Sequence, residues 1–110
     1  MKFRIESPGF KPSPSLKEFA TQKLKSLDRF YKDIQEIEVT LLNDVKAGKE
    51  LVSCTLNIRI PGKDEYIKAG SYIFEDAILK AMDAAKRRLH IRKTQLQLAN
   101  KKKKTSRMLV

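Results

Sequence analysis

Val52-Ser53-Cys54-Thr55-Leu56-Asn57-Ile58-Arg59-Ile60 alternates apolar and polar residues without a break. A period of two with β-branched residues predicts a strand with one face in a core and one face in water. Upstream, Ile37, Val39 and Leu41 alternate with Glu38 and Thr40 in the same way, and the turn around Ala47-Gly48-Lys49 joins the two runs. Downstream, Pro61-Gly62-Lys63-Asp64 reads as a turn, and Tyr66-Ile67-Lys68-Ala69 as a further strand with Ile67 and Ala69 inward. Three strands in succession with one dry face need a layer to cover that face.

The flanking segments supply it. Phe3 and Ile5 alternate with Lys2, Arg4 and Glu6, a short first strand ended by Ser7-Pro8-Gly9. Ser13-Pro14 is a helix start, serine as N-cap and proline at the first helical position. Ser15-x-x-Glu18 is a competing capping box. Leu16, Phe19, Ala20, Leu24, Leu27 and Tyr31 recur at helical spacing, which carries this helix to about Tyr31. Ser71 can cap a last helix, with Glu75 and Asp76 in its first turn, where acids suit the dipole. Its stripe is Phe74, Ala77, Ile78, Ala81, Met82, Ala85 and Leu89, and it can extend through Leu96. The order βαβββα makes an α+β two-layer sandwich, a four-stranded sheet with two helices on one face. Residues 1–98 form a single domain in this reading, and 99–110 a basic tail too charged to pack and expected to be disordered.

Charge is distributed unevenly. Residues 1–79 hold 13 Lys and Arg against 12 Asp and Glu, a net of +1, whereas residues 80–110 hold 11 against Asp83 alone, a net of +10. The excess sits on the last helix and the tail, which points to a polyanionic partner. The first residues carry a charge at every second position, so no secretory signal is read, and no stretch approaches the roughly 20 apolar residues that span a bilayer. Cys54 is the one cysteine. The expectation is a reduced, cytoplasmic chain that does not enter a membrane.

On the last helix the basic residues lie around the apolar stripe. Lys80, Arg87 and His90 fall opposite it, Lys86, Arg88 and Lys93 flank it, and Arg92 lies over it past Leu89, where the helix can outrun the core. Asp83 is the one acid among six basic residues from Lys80 to Lys93. A solvated face ordinarily mixes both signs. Phosphates repeat along a nucleic-acid strand, so an array of long cations neutralises several together and releases counterions. Helix one adds Lys17, Lys23, Lys25 and Arg29. Lys23 is placed to run its stem along the groove between the helices, while Asp28 and Asp33 dilute the patch. Lys101, Lys102, Lys103 and Lys104 extend the charge as a low-specificity adjunct.

Enzymatic chemistry has no inventory here. His90 is the one histidine and has no partner at metal-ligand spacing, and the four glycines form no phosphate loop. Neither a cofactor nor a small-molecule substrate is expected. Among RNA modules, the wet sheet face carries Lys2, Arg4, Thr40, Ser53, Thr55, Asn57, Arg59 and Lys68 with Tyr66 as its one aromatic. It can touch RNA backbone but cannot stack several bases. The run αβββα matches the order of a double-stranded-RNA-binding domain, except that such a module places its lysines at the start of the last helix, where this chain has Glu75 and Asp76.

A more specific resemblance covers Met1 to Gln97. Pro14-Ser15-Leu16-Lys17-Glu18-Phe19-Ala20-Thr21-Gln22-Lys23-Leu24, then Leu27-Asp28-Arg29-Phe30-Tyr31, resembles helix one of the ribosome hibernation-promoting factors. Ile34 to Leu42 resembles their second strand. Phe74-Glu75-Asp76-Ala77-Ile78, Met82-Asp83 and Arg87-Arg88-Leu89 resemble their last helix. The resemblance implies the fold βαβββα and binding to rRNA of the small ribosomal subunit, alone or within the whole ribosome. It implies a seat near the decoding centre, occluding the mRNA and tRNA path and holding bacterial ribosomes idle under starvation and in stationary phase. Lys23, Arg87 and Lys93 match the family's basic positions. Ala84 stands where the family commonly has lysine, and Lys80 and Lys86 stand where it often has small residues. The chain stops at Val110, about ten residues past the expected helix. It therefore resembles the short form, expected to be monomeric off the ribosome and unable to bridge ribosomes through a dimerisation domain of its own. The competing readings are a constitutive ribosomal protein and a generic double-stranded-RNA binder.

Overall fold

The computed structural model describes the backbone of residues 1–46 and 49–109 and the side chains of residues 1–43 and 51–95. The elements are β1 (Lys2–Glu6), α1 (Pro14–Lys25), α2 (Leu27–Phe30), β2 (Glu36–Lys46), β3 (Lys49–Arg59), β4 (Glu65–Ser71) and α3 (Phe74–Leu109). The expected turn at Ala47-Gly48 lies outside the described residues.

The sheet has the order β1-β2-β3-β4. β1 pairs parallel with β2, Phe3 opposite Ile37 and Ile5 opposite Val39, so α1 and α2 form the crossover between them. β2, β3 and β4 continue as an antiparallel meander, with Val39 opposite Leu56 and Leu56 opposite Ile67. This register puts Ile37, Val39, Leu41, Cys54, Leu56 and Ile58 on one face, all fully buried. α1 covers the β1 side of that face and α3 covers β3 and β4. Leu16, Ala20, Leu24 and Leu27 face inward from the first helical layer, and Ala77, Ile78, Ala81, Ala85 and Leu89 from α3. Each such Leu or Ile contributes about 1.5–3 kcal/mol by leaving water. The α+β two-layer architecture and the strand order follow the sequence pattern.

The Ser13 hydroxyl caps α1 as expected, accepting from the Leu16 N–H at 3.1 Å, and the competing box at Ser15 is not the cap. Three local readings need correction. The first helix does not run unbroken to Tyr31, because at Ser26 the side-chain hydroxyl donates back to the Lys23 carbonyl at 2.5 Å and α2 starts afresh at Leu27. Ser71 is the last residue of β4, opposite Val52, and does not cap α3, whose first bond runs from Ala77 N–H to the Ile73 carbonyl. Instead the Ser71 hydroxyl donates to the Asp76 carboxylate, which holds that carboxyl below its usual range. On the open sheet face, Ser53 and Thr55 are buried rather than wet, since these short side chains sit on β3 with paired strands on both sides.

The Phe10 and Phe74 rings stack at 5.1 Å, pinning the β1–α1 loop against the start of α3. At the other end, Leu89 is the last fully buried residue among the described side chains, and the α3 backbone continues to Leu109. The sequence from Gln95 onward offers no Gly or Pro to stop it. The helical backbone thus runs beyond Leu96 and through the segment expected to be disordered. The side chains of Lys101 to Lys104 lie outside the described residues.

Candidate nucleic-acid interface

The open sheet face carries charges of both signs, and the four at its centre are paired, while Lys2 and Lys68 stand exposed at its edges. Arg4 on β1 and Arg59 on β3 flank Glu36 and Glu38 on the strand between them. Arg4 reaches Glu36 at 3.1 Å and Glu38 at 2.6 Å, and Arg59 reaches the same two carboxylates at 3.1 and 2.9 Å. The register dictates this, since Arg4 lies opposite Glu38 and Glu36 opposite Arg59. The Arg4 hydrogen bond holds the Glu38 carboxyl below its usual range. Both arginines are committed to carboxylates.

The helical layer is different. Arg29, Arg87 and Lys93 are exposed and Lys86 is half-buried, and none of the four makes an ion pair among the described residues. Lys23 and Lys25 are exposed, with ammonium groups 5.9 Å from the ring centroids of Phe19 and Phe3, so their stems lie on the protein and their charges stay in water. His90 is exposed. α3 packs beside α1 and α2, which brings Arg29 and Lys93, remote in sequence, to the rim of one hollow of about 350 Å³. Phe30, Tyr31, Lys32 and Asp33 complete its lining.

Among the described side chains of α3, the other basic residues, Lys80, Arg88 and Arg92, have partners within the protein itself. Lys80 lies 3.4 Å from Asp76, one turn back. Arg88 lies 3.9 Å from Glu65. Arg92 is 3.6 Å from Glu65 and donates to the carbonyls of Pro61 at 2.7 Å and of Lys63. Its side chain is only 19% exposed. That guanidinium closes the β3–β4 turn, in which Gly62 takes a positive φ of 96°. Sequence reasoning placed Arg92 with the RNA-facing cations because a wheel cannot show a turn folding up against the helix. Lys32, which also lines the hollow, follows α2 in a loop and carries no periodic signal in the sequence. Among the described residues no group of His, Cys, Asp and Glu side chains is placed to hold a metal ion, and no helix is long and apolar enough to cross a membrane.

The βαβββα frame recurs in solved structures. A ribosomal subunit interface protein from Coxiella burnetii superposes with a TM-score of 0.70 at 22% identity, covering 86% of this chain and 99% of the other. The Protein Y N-terminal domain of Thermus thermophilus superposes with a TM-score of 0.68 at 16% identity, covering 81% and 96%. At these identities the likeness is one of fold. No match was found among curated proteins. The family described as Sigma 54 modulation protein / S30EA ribosomal protein matches residues 3–97. That span is nearly the whole described domain, and the chain belongs to this family of ribosome-associated, non-enzymatic proteins.

Proposed function

We propose that the protein docks on the small ribosomal subunit through its helical layer and holds the ribosome idle by occupying the path of messenger and transfer RNA. The observation that carries this reading is the one-sided charge. Arg29, Lys86, Arg87 and Lys93 gather on the helical side without carboxylate partners among the described residues, while Arg4 and Arg59 are spent on Glu36 and Glu38. Unpaired cations facing a phosphate array release counterions on contact, and the paired ones do not. Family membership supports rRNA as the polyanion, and the likeness to hibernation-promoting factors supports a seat near the decoding centre. Occlusion requires no turnover, so inhibition of translation is stoichiometric with ribosomes. The test is a sucrose gradient of extract from starved cells, probed for this chain at low salt. Co-sedimentation with small subunits or whole ribosomes is expected. Recovery only at the top of the gradient contradicts the proposal. Equal binding to ribosomes and to synthetic RNA duplexes makes it a duplex-RNA binder.

A further inference from the structure

We infer that the hollow between α2 and α3 seats one unpaired nucleotide of the RNA and that Asp33 selects its base. The inference rests on the reading of the helical layer as an RNA surface and adds to it a point of sequence recognition. The hollow, about 350 Å³, is of the size that takes a small organic ligand. Its rim holds three cations from separate pieces of chain: Arg29 from α2, Lys32 from the following loop and Lys93 from α3. The half-buried Phe30 and the buried Tyr31 give the hollow an apolar wall. An aromatic wall beside a cationic rim is the chemistry that holds a nucleotide splayed out of a strand, base against the ring and phosphate on the cations.

Asp33 supplies what the cations cannot. Its exposed side chain is the one carboxylate lining the hollow, and it only accepts hydrogen bonds. Adenine, cytosine and guanine carry an amino group, and guanine adds an adjacent ring N–H, so its Watson–Crick edge meets both oxygens of a carboxylate. Uracil offers no amino group. The expected order is guanine first and uracil last.

The test is fluorescence anisotropy with short RNA stems of one sequence that differ only in a single bulged G, A, C or U, or in having no bulge, against wild type, Asp33→Asn and Arg87→Gln. The bulged-G stem should bind on the order of tenfold tighter than the bulged-U and unbulged stems, the discrimination of one bidentate base contact. Asp33→Asn should abolish that preference while leaving affinity for the unbulged stem equal or higher, since a negative charge is removed from beside three positive ones. Arg87→Gln, outside the hollow, should weaken all stems alike and keep the preference. Equal binding of all stems by wild type, or a preference untouched by Asp33→Asn, overturns the inference. If ribosome binding persists in that case, the proposed function stands without it. Displacement of fluorescent guanosine monophosphate from the hollow by unlabelled nucleotide, with no bulge preference, assigns the site to a free nucleotide and overturns the RNA form.

Discussion

Arg4 and Glu38, neighbours across β1 and β2, stand 2.6 Å apart on the sheet face turned away from the helices. Together with Arg59 and Glu36 they make a lattice of four charges that cancels. The two arginines of the sheet are thus held by carboxylates, whereas Arg29, Arg87 and Lys93 of the helical layer have no such partner among the described residues.

Arg4→Gln and Arg59→Gln should therefore each change RNA affinity by less than about twofold, although each removes a positive charge. Exposed pairs of this kind are screened by water and contribute little to stability. The Glu38 carboxyl is held low in the folded state, so its small contribution is present above the ordinary glutamate range and fades as pH falls through the depressed folded value. Urea denaturation at pH 7 and pH 3, wild type against Arg4→Gln, checks the sign.

Arg92 should behave as part of the frame. Arg92→Met keeps most of the stem but leaves the Pro61 and Lys63 carbonyls and Glu65 without their donor. A loss of about 1–3 kcal/mol in unfolding free energy is expected. Arg87→Met, on an exposed site with no ion pair among the described residues, should cost less than about 0.5 kcal/mol in the same measurement.

Burial in the core pushes the Cys54 thiol up to about 12. In the unfolded chain it ionises near its ordinary value of about 8.5. A raised folded value means stability is fully present below that unfolded value and is lost as pH rises towards the folded one, with a slope of about 1.4 kcal/mol per pH unit. Cys54→Val should flatten the alkaline limb. A thiol reagent at pH 8 should modify the native protein only as fast as it unfolds.

The fold was legible because its signals are periodic. Val52 to Ile60 declares a strand by period two, and Ala77 to Leu89 a helix by its apolar spacing. The misreadings fall where a single side chain chooses between partners that only three dimensions supply. Ser26 turns back on Lys23, and Ser71 stays in β4 and donates to Asp76. The partners of Arg92, a turn from a remote segment, were equally invisible in the sequence. The basic character of α3 was visible as a charge asymmetry. Its division into cations with and without carboxylate partners was legible only in part: Asp76 and Lys80 stand four apart on one helix, whereas Glu65 finds Arg88 only in the folded chain. The hollow joining Arg29 to Lys93 likewise exists only once α2 packs beside α3.

Binding should also depend steeply on salt. Each phosphate neutralised contributes on the order of 0.7–0.9 to the fall of log affinity with log salt. With Arg29, Arg87 and Lys93 as the minimum set, the slope should be at least about 2. A slope near zero in a titration at constant pH would mean that the contact is not made through phosphates.

The most direct measurement is sedimentation of the purified protein with purified small ribosomal subunits, wild type against the double variant Arg87→Glu and Lys93→Glu, at low salt. Both side chains lie outside the core, so circular dichroism and urea denaturation should find the variant folded. The account predicts that wild type pellets with the subunits and that the folded variant stays in the supernatant. A folded variant that pellets as wild type does would show that α3 is not the docking face.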